Sequence, residues 1–471
     1  MKRPWWMGLL AVGLAGLRVA AVDGQPDLTF SPLGTDGVVS ALRLASDNGM
    51  FISGKFYSAG GYARPGIARL LSSGSGDSSF SPAAPGWPYV GPITAQSDGK
   101  VLLGVANLIT YGNLCRFQTG GSVDPNFAFS DADTYPRFND VLNVLAVDRT
   151  NRLYVGGNFS GIFTGNSTTG KVTVVRPLLV RLNPDGSLDS GFRLDTNILS
   201  GEIHCVTFQP DGKVLAGGET TTNGPGFLTA GPPLFRLQTN GQLDASFQFL
   251  PSAFPLVSID PLTVAEVQPD GKIIFAWNSS PQLFGRVLTN GALDATFNAT
   301  VAPDNSINAV RVQADGRILI AGDFRTVNGV TRTRVARLNP NGTLDPTFDP
   351  GAGPNSLVND LALDGNGNIL IAGAFTTVNG VPMNHVARLL NTETNNLVAR
   401  LAPPAVLRAS NRVDLTVTVA PRRFAQVQAK NTVVTNVAWT PLAMVGSDDW
   451  AGTFRESAVV TTNRFYRART R

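Results

Sequence analysis

Apolar residues along this chain recur in short alternating runs, which are separated by turns rich in glycine, proline and asparagine. In one typical stretch, an alternating run at 141–147 is followed by a tight turn and a second run at 152–155 that leads into two glycines. After a long polar segment, a third run at 178–182 is joined to a fourth at 187–192 by the turn 183–186. Short runs with a period of two predict β-strands. The pattern predicts four antiparallel strands connected as a meander.

This stretch is one copy of a repeat of about 50 residues. An arginine near the end of each third run is followed eight residues later by an aspartate, and that aspartate opens an Asp-x-x-Phe group. The complete pairs are Arg69/Asp77, Arg116/Asp124, Arg181/Asp189, Arg236/Asp244, Arg286/Asp294 and Arg337/Asp345. Repeated four-stranded meanders are typical of the blades of a β-propeller. The repeat therefore predicts an all-β protein built from such blades.

A seventh arginine lacks its local partner. Arg388 has Asn396 at the eight-residue offset, whereas an Asp-x-x-Phe group without an arginine lies at 27–30. If 27–30 supplies the outer strand of the last blade, the two ends of the propeller are joined and no sheet edge stays open. We therefore predict a seven-bladed β-propeller of four-stranded antiparallel blades, closed by its N-terminal strand. The alternative is that 395–400 supplies the outer strand locally.

The Arg/Asp pairs are predicted to be structural. A three-residue loop between the third and fourth strands places Arg181 directly opposite Asp189, within reach of a bidentate ion pair. An element that recurs in every blade belongs to the scaffold, whereas an active site usually occurs once. We expect the same role for the six complete pairs and for Arg388 with Asp27.

Three segments resemble the delta-60 repeat of exported bacterial proteins. They are the glycine-ended run at 211–218, the run at 335–348 that contains an Arg/Asp pair, and the Phe-Thr-Thr-Val-Asn-Gly motif at 375–380. The resemblance covers roughly residues 27–391 and recurs in every predicted blade. It implies a propeller fold and export from the cytoplasm, and it implies no catalytic residues.

The N-terminal segment is typical of a secretory signal peptide. Lys2 and Arg3 precede an apolar stretch at 4–17, and small residues follow at 19–21. We predict a signal peptide at 1–21 and a secreted or cell-surface protein; an uncleaved membrane anchor is the alternative. No other stretch is long and apolar enough to cross a bilayer, so we expect no transmembrane segment after signal removal.

A change in charge marks a second boundary near residue 400. Residues 400–471 contain 11 lysines and arginines against 4 aspartates and glutamates. Their alternating runs predict a small β-sandwich after a propeller that occupies 22–399. The end of the chain, 464–468, resembles the Arg-Phe-Tyr-Arg-Ala modules at the ends of secreted bacterial proteins. The basic residues form a face for an acidic polymer, are simply solvated, or belong to an export-related tail; a nucleic-acid partner is not predicted.

The residues that usually carry catalysis are sparse. Cys115 and Cys205 lie in different repeats within apolar runs, which predicts two buried thiols rather than a disulfide. His204 and His385 have no metal-ligand spacing, and we predict no metal, no cofactor and no catalytic residue. Within this inventory His204 is expected to be a core residue.

The predicted binding surface is the face that carries the long connections between second and third strands, because variable loops on a rigid scaffold carry function. Candidate residues there are Trp87, Tyr89, Tyr111, Tyr135, Phe163, Glu219, Phe227 and Trp277. We expect a monomeric, non-enzymatic binding or adhesion scaffold whose partner is a polysaccharide or another cell-surface component. The alternative is a polysaccharide hydrolase or lyase, for which Glu219 is the most suggestive acid.

Overall fold

The computed structural model describes most of the repeat region and the strands of the C-terminal region. The described residues are 23–31, 33–82, 90–105, 113–127, 137–138, 140–164, 171–175, 178–195, 198–223, 228–230, 232–249, 261–277, 283–297 and 303–391, followed by the C-terminal strands given below. Their secondary structure is β, and none of them belongs to a helix that is long and apolar enough to span a membrane.

Seven units follow one another along the described chain. The first three contain β1 (Val38–Leu44), β2 (Met50–Lys55), β3 (Ser58–Ala59), β4 (Tyr62–Ala63) and β5 (Ile67–Leu70); β6 (Val90–Ala95), β7 (Val101–Val105) and β8 (Asn113–Phe117); and β9 (Arg137–Phe138), β10 (Leu142–Val147), β11 (Leu153–Gly157), β12 (Gly161–Thr164), β13 (Lys171–Val175) and β14 (Leu179–Leu182). The next two contain β15 (Ile198–Phe208), β16 (Val214–Asn223), β17 (Leu228–Ala230) and β18 (Leu234–Leu237); and β19 (Leu262–Val267), β20 (Ile273–Trp277) and β21 (Leu283–Val287). The last two contain β22 (Ile307–Val312), β23 (Ile318–Gly322), β24 (Thr326–Val327), β25 (Val330–Thr331) and β26 (Val335–Leu338); and β27 (Val358–Leu363), β28 (Ile369–Gly373), β29 (Thr377–Val378), β30 (Val381–Pro382) and β31 (Val386–Leu389).

Each unit is built on an antiparallel three-stranded sheet. The strand orders are β1-β2-β5, β6-β7-β8, β10-β11-β14, β15-β16-β18, β19-β20-β21, β22-β23-β26 and β27-β28-β31. We number these sheets one to seven and call their strands first, second and third. Where the sequence predicts a fourth strand, the chain makes one isolated β-bridge, such as Leu182 with Leu188. The strand ends there because the Phe192 amide bonds back to the Asp189 carbonyl and turns the phenylalanine into the core.

The sheets are arranged in a ring. The first strands of successive sheets contact each other from β1 through β27, and β27 in turn contacts β1. Apolar side chains fill the spaces between neighbouring sheets, as Phe51 and Ile67 of sheet one do against Ile93 and Val101 of sheet two. Because both faces of each sheet are covered, the second strands begin as continuous apolar runs rather than alternating ones, as in β23.

The N-terminal segment closes this ring. Pro26 forms a β-bridge with Leu389, and the Asp27 amide donates to the carbonyl of Arg388. Residues 27–30 therefore stand in the place that the Asp-x-x-Phe group occupies in the other sheets. The alternative closing segment is 395–400. Its last residue, Arg400, pairs with Thr418 in the C-terminal region, and residues 395–399 lie outside the described chain.

The Arg/Asp pairs hold each third strand to the segment that follows it. In six of the seven pairs the nitrogen–oxygen distance is 2.7 to 2.9 Å, and Arg69 also pairs with Asp77. In the same six, the guanidinium lies 4.5 to 5.1 Å from the centre of the phenylalanine ring of its Asp-x-x-Phe group. A guanidinium that is both ion-paired and stacked on an aromatic ring has a fixed orientation.

That orientation directs the arginines towards the next sheet. Their Nη1 atoms donate to backbone carbonyls of the next sheet's third turn in five sheets: Arg116 to Pro184, Arg181 to Thr239, Arg236 to Thr289, Arg286 to Pro340 and Arg388 to Ser72. Arg337 instead donates to the side chains of Asn391 and Asp23. The pairs predicted within one sheet thus also link neighbouring sheets.

The C-terminal region forms two antiparallel sheets. Its strands are β32 (Arg400–Leu401), β33 (Ala405–Leu407), β34 (Arg412–Thr418), β35 (Arg423–Lys430), β36 (Thr440–Ser447), β37 (Gly452–Glu456) and β38 (Phe465–Thr470). One sheet has the order β32-β34-β33 with β37 also paired to β34, and the other has the order β36-β35-β38.

Candidate functional site

Most of the predicted aromatic contacts lie in the long connections. Trp87, Tyr89, Tyr111, Tyr135 and Phe227 fall outside the described residues. Phe163 lies in β12, where it is paired with Val172 and Arg137. The candidate site is therefore built from the ends of the strands from which these connections leave.

Trp277 does not lie on this surface. It ends β20 opposite Leu262, is only 4% exposed, and packs in a cluster with Cys205 and Phe275. The prediction that Trp277 presents an exposed ring for ligand stacking is wrong. The reason is that both faces of a second strand are covered by neighbouring sheets, so a large apolar residue there becomes part of the core.

Six first strands contain a β-bulge close to their start. At this bulge the pairing with the second strand skips one residue, which is polar in all six. In addition, β15 has a second bulge that skips Leu199, and the shift in β6 skips Gly91 and Pro92. The skipped residues, which we call the bulge ring, are Ser40, Asn143, His204, Thr263, Asn308 and Asn359. Bulges re-aim a side chain and are common next to functional sites. Because the first strands are neighbours around the ring, the six polar side chains lie around one opening, with a gap at sheet two.

The bulge ring lies on the side of the long connections. Outside sheet four, the residue before the skipped position pairs with the last or last-but-one residue of the second strand, as Leu142 does with Gly157. That end is where the long connection begins. At Gly157 a Cβ atom would lie 2.0 Å from the Val141 carbonyl oxygen, so only glycine permits this close approach of the two strands. Sheet five forms the same bulge with Trp277 in place of this glycine, so the close approach belongs to the sheets that carry the glycine.

Two asparagines of the ring connect neighbouring sheets. Nδ2 of Asn359 donates to the Val39 carbonyl at 2.8 Å, and Nδ2 of Asn308 donates to the Val358 carbonyl at 3.0 Å. Both side chains are half-buried. These bonds fix the spacing of the first strands on one side of the opening.

The other side of the opening is extended by sheet four. Its β15 and β16 have 11 and 10 residues, and they continue beyond the bulge at His204. On this extension Glu202 is directly opposite Glu219. Nε2 of His204 lies 2.9 Å from Oε2 of Glu202, and Nδ2 of Asn143 lies 3.5 Å from the same oxygen.

Sequence reasoning identified Glu219 but missed Glu202. His204 is half-buried and lies within hydrogen-bond distance of Glu202 at the opening, so its expected place in the core is wrong. The signal that could have found the cluster is the alternation of Glu202 and His204 at the start of a long strand.

A second charged group lies further along the first strands. Asp360 is buried, and its carboxylate accepts hydrogen bonds from the Leu42 amide at 3.0 Å and from Arg43 at 2.5 Å. Nη2 of Arg311 lies 3.4 Å from its other oxygen. The carboxylate is thus neutralised by arginines from both neighbouring sheets.

Neither thiol of the described residues is placed to act as a nucleophile. Cys115 and Cys205 are both buried and unbridged, and burial raises their pKa to about 11 and about 12 respectively. Such thiols are not nucleophiles at neutral pH. Within the part of the chain that the structure describes, no group of three or more His, Cys, Asp or Glu side chains is arranged to hold a metal ion.

Comparison with known proteins agrees with the ring of sheets. Six segments match the model of a family described as a domain of unknown function (DUF5122) β-propeller: 45–80, 96–127, 150–192, 209–247, 313–348 and 365–392. The chain is a β-propeller repeat protein. No curated protein matches its sequence.

Solved structures similar to the propeller are distant in sequence. One is the WD40 β-propeller domain of Doa1, which is 13% identical with a TM-score of 0.44; the match covers 78% of this chain and 96% of that one. Another is a puromycin hydrolase variant in complex with PGG, which is 15% identical with a TM-score of 0.45; the match covers 84% of this chain and 61% of that one.

Proposed function

We propose that this protein is an exported, non-enzymatic binding or adhesion propeller that takes a polysaccharide or cell-surface polymer at the opening lined by the bulge ring. The observation that carries the proposal is the composition of that ring, which contains three amides and two hydroxyl side chains beside His204. Amides and hydroxyls both donate and accept hydrogen bonds, as the hydroxyls of a neutral sugar do. They supply recognition without the pair of acids that glycoside hydrolysis requires.

The proposed protein has three parts along the chain. A signal peptide at 1–21 directs export, seven blades occupy 22–399, and 400–471 form a β-sandwich. The seven successive sheets with their N-terminal closure support the blade number. The two C-terminal sheets support the sandwich. Sequencing the N-terminus of the secreted protein tests the first element, with a chain that begins at Val22 as the expected result.

A glycan-array screen of the full mature chain tests the binding function. We expect a polysaccharide or cell-surface glycan to be retained by the wild type and its affinity to fall about 10-fold in Asn143→Ala combined with Thr263→Ala, since two hydrogen-bonding side chains are lost. The matched control is Ser122→Ala, an exposed residue of a tight turn on the opposite side. Equal affinity of the double variant and the control would show that the bulge ring does not bind the glycan.

One observation favours a second candidate, a polysaccharide hydrolase. Glu202 and Glu219 are direct cross-strand neighbours, and such neighbours have Cβ atoms about 5 Å apart. Carboxyl groups at roughly that separation are found in retaining glycosidases, where one protonates the leaving oxygen and the other attacks the anomeric carbon. Release of reducing ends by the wild type, lost in both Glu202→Gln and Glu219→Gln, would replace binding with hydrolysis as the function.

A further inference from the structure

Arg43 of β1 and Arg311 of β22 occupy equivalent positions in their sheets. Each is the third residue after the skipped residue of the bulge, and each pairs with the second residue of the second strand. In the other sheets, the first-strand residues with this pairing are Thr94, Ala146, Thr207, Glu266 and Ala362. Sheet seven lies between sheets six and one in the ring, so the two arginines flank it.

Both guanidinium groups converge on Asp360, which belongs to the sheet between them. Nη1 of Arg43 lies 2.5 Å from Oδ2 of Asp360, and Nη2 of Arg311 lies 3.4 Å from Oδ1. Each arginine also donates from Nη1 to the backbone carbonyl of the residue before it, at 2.6 Å for Arg43 and 2.7 Å for Arg311. A planar guanidinium that is held by both a carboxylate and a carbonyl has a fixed orientation.

These groups face the central channel, by which we mean the space that the first strands surround. The Leu42 amide donates to Asp360 and the Leu42 carbonyl accepts from Arg43, so both backbone groups point away from β2 and towards the centre of the ring. The side chains of Arg43 and Arg311 are 32% and 28% exposed, whereas that of Asp360 is buried. Sheet seven has only Ala362 at this level, so no longer side chain of that sheet separates the two arginines.

The two arginines have more positive charge and more donors than Asp360 can match. Its carboxylate already accepts two backbone amides as well as the two guanidinium groups. An arginine has five N–H donors. Within the described chain, Nε and Nη2 of Arg43 and Nε of Arg311 donate to no other residue. Glu266, the other charged residue at this level, lies on sheet five, on the far side of Arg311 from Asp360.

We propose that Arg43 and Arg311 bind the carboxylate of a small acidic ligand in the central channel. Adjacent N–H groups of a planar guanidinium match the two oxygens of a carboxylate, and Asp360 orders both guanidinium groups before the ligand arrives. Two sources carry this chemistry, a uronic acid and a free aliphatic acid. The proposal does not depend on glycan binding by the bulge ring, which lies three residues away along the first strands, towards the long connections.

Calorimetric titration of the full mature protein with methyl β-D-glucuronide and with succinate tests the site. We expect at least one of these acids to bind, with an affinity that falls as salt is added. Methyl β-D-glucoside, which has the same ring without the carboxylate, should not bind. Tighter binding of the glucuronide identifies a uronic acid as the source, and tighter binding of succinate identifies a free acid. Failure of both acids to bind would overturn the proposal, as would equal binding of the glucoside.

Three variants locate the binding. Arg43→Lys and Arg311→Lys keep a positive charge beside Asp360 but lose the planar set of donors, so each should weaken binding of the acid about 10-fold. The matched control is Glu266→Gln, which changes a charged residue at the same level and should bind the acid at least as tightly as the wild type. Melting temperatures show that the compared variants are folded. Unchanged affinity in both lysine variants, or an equal loss in Glu266→Gln, would show that the two arginines do not form the site.

Discussion

Nε of Arg388 donates to Oδ2 of Asp27 at 2.8 Å, across 361 residues of sequence. The same guanidinium donates to the Ser72 carbonyl at 2.7 Å in sheet one. Burial alone would raise the pKa of Asp27, but hydrogen bonds from Thr29 and the pairing with Arg388 outweigh it and hold that pKa below its usual value. One arginine thus joins the N-terminal segment, the seventh sheet and the first.

Removing this carboxylate should destabilise the closure of the ring. We expect Asp27→Ala to lower the free energy of unfolding by about 2–3 kcal/mol, because a largely buried arginine loses its charged partner. Urea denaturation of the purified chain measures the change. The control is Asp315→Ala, in an exposed first turn, which should cost less than about 0.5 kcal/mol. Equal losses in the two variants would show that the closure contributes no special stability.

The contact between Arg388 and Asp27 also shows how much of the fold can be predicted from the sequence. In the sequence, Arg388 lacks an aspartate eight residues later and Asp27 lacks an arginine eight residues earlier. Because every other arginine of the repeat pairs with such an aspartate, the repeat predicts that these two residues pair with each other. The donations of five of these arginines to a turn of the next sheet are not predictable from the repeat alone. It depends on the angle between successive sheets, which no local spacing specifies.

The arginines that link two sheets should tolerate lysine less well than the one that does not. Arg337 is fully buried and donates to Asp345, Asp23, Asn391 and Thr347. A lysine cannot make these bonds in a fixed planar arrangement, so Arg337→Lys should cost about 3 kcal/mol in unfolding free energy. Arg69→Lys, which breaks no link to the next sheet, should cost less than half of that in the same urea titration. The reverse order would contradict the role given to the links.

Two glycines with positive φ allow the cost of a left-handed backbone to be compared with the cost of a steric clash. At Gly342, φ is +86° and a Cβ atom would lie 2.8 Å from the Phe297 ring, whereas at Gly380, φ is +77° and nothing lies within 4 Å. Gly380→Ala should therefore cost about 1 kcal/mol for the left-handed backbone alone. Gly342→Ala should cost about 1–3 kcal/mol more, because the ring must move. Thermal denaturation of both variants measures the difference, and equal melting temperatures would mean that the ring yields freely.

The seven paired aspartates predict a loss of stability in acid. Burial opposes their ionisation, but hydrogen bonds and neighbouring cations lower the pKa of every one of them. The unfolded chain therefore binds more protons, and stability that is present above the unfolded pKa of about 4 is lost as the pH falls through the folded values. Urea midpoints should fall steeply between about pH 5 and pH 2. Asp294→Asn removes one of these proton-binding groups, so its urea midpoint should fall less steeply with decreasing pH. An unchanged pH dependence of the urea midpoint would argue against the role of the paired aspartates.

The bulge ring marks where sequence reasoning stopped. The polar residues at the starts of the first strands were visible as single Asn, Ser, Thr and His residues, but they do not form a motif. A bulge shifts the alternation by one residue, so the side that each side chain faces cannot be read from period two. The prediction for Trp277 was wrong for a different reason: this residue was expected at the start of a loop, but it lies within a buried strand.

His385 should make the protein less stable in mildly acidic solution. Its backbone has φ 65°, and burial lowers its pKa although Nδ1 lies 3.2 Å from the Gly373 carbonyl. Because the folded state binds the proton less well than the unfolded one, its contribution is present above about pH 6.5 and is lost as the pH falls through the folded pKa. We expect the free energy of unfolding of the wild type to fall between about pH 7.5 and pH 5.5, a range in which the aspartates do not titrate. His385→Asn, which tolerates a positive φ, should remove most of that fall. The same pH dependence in both proteins would assign it to another group.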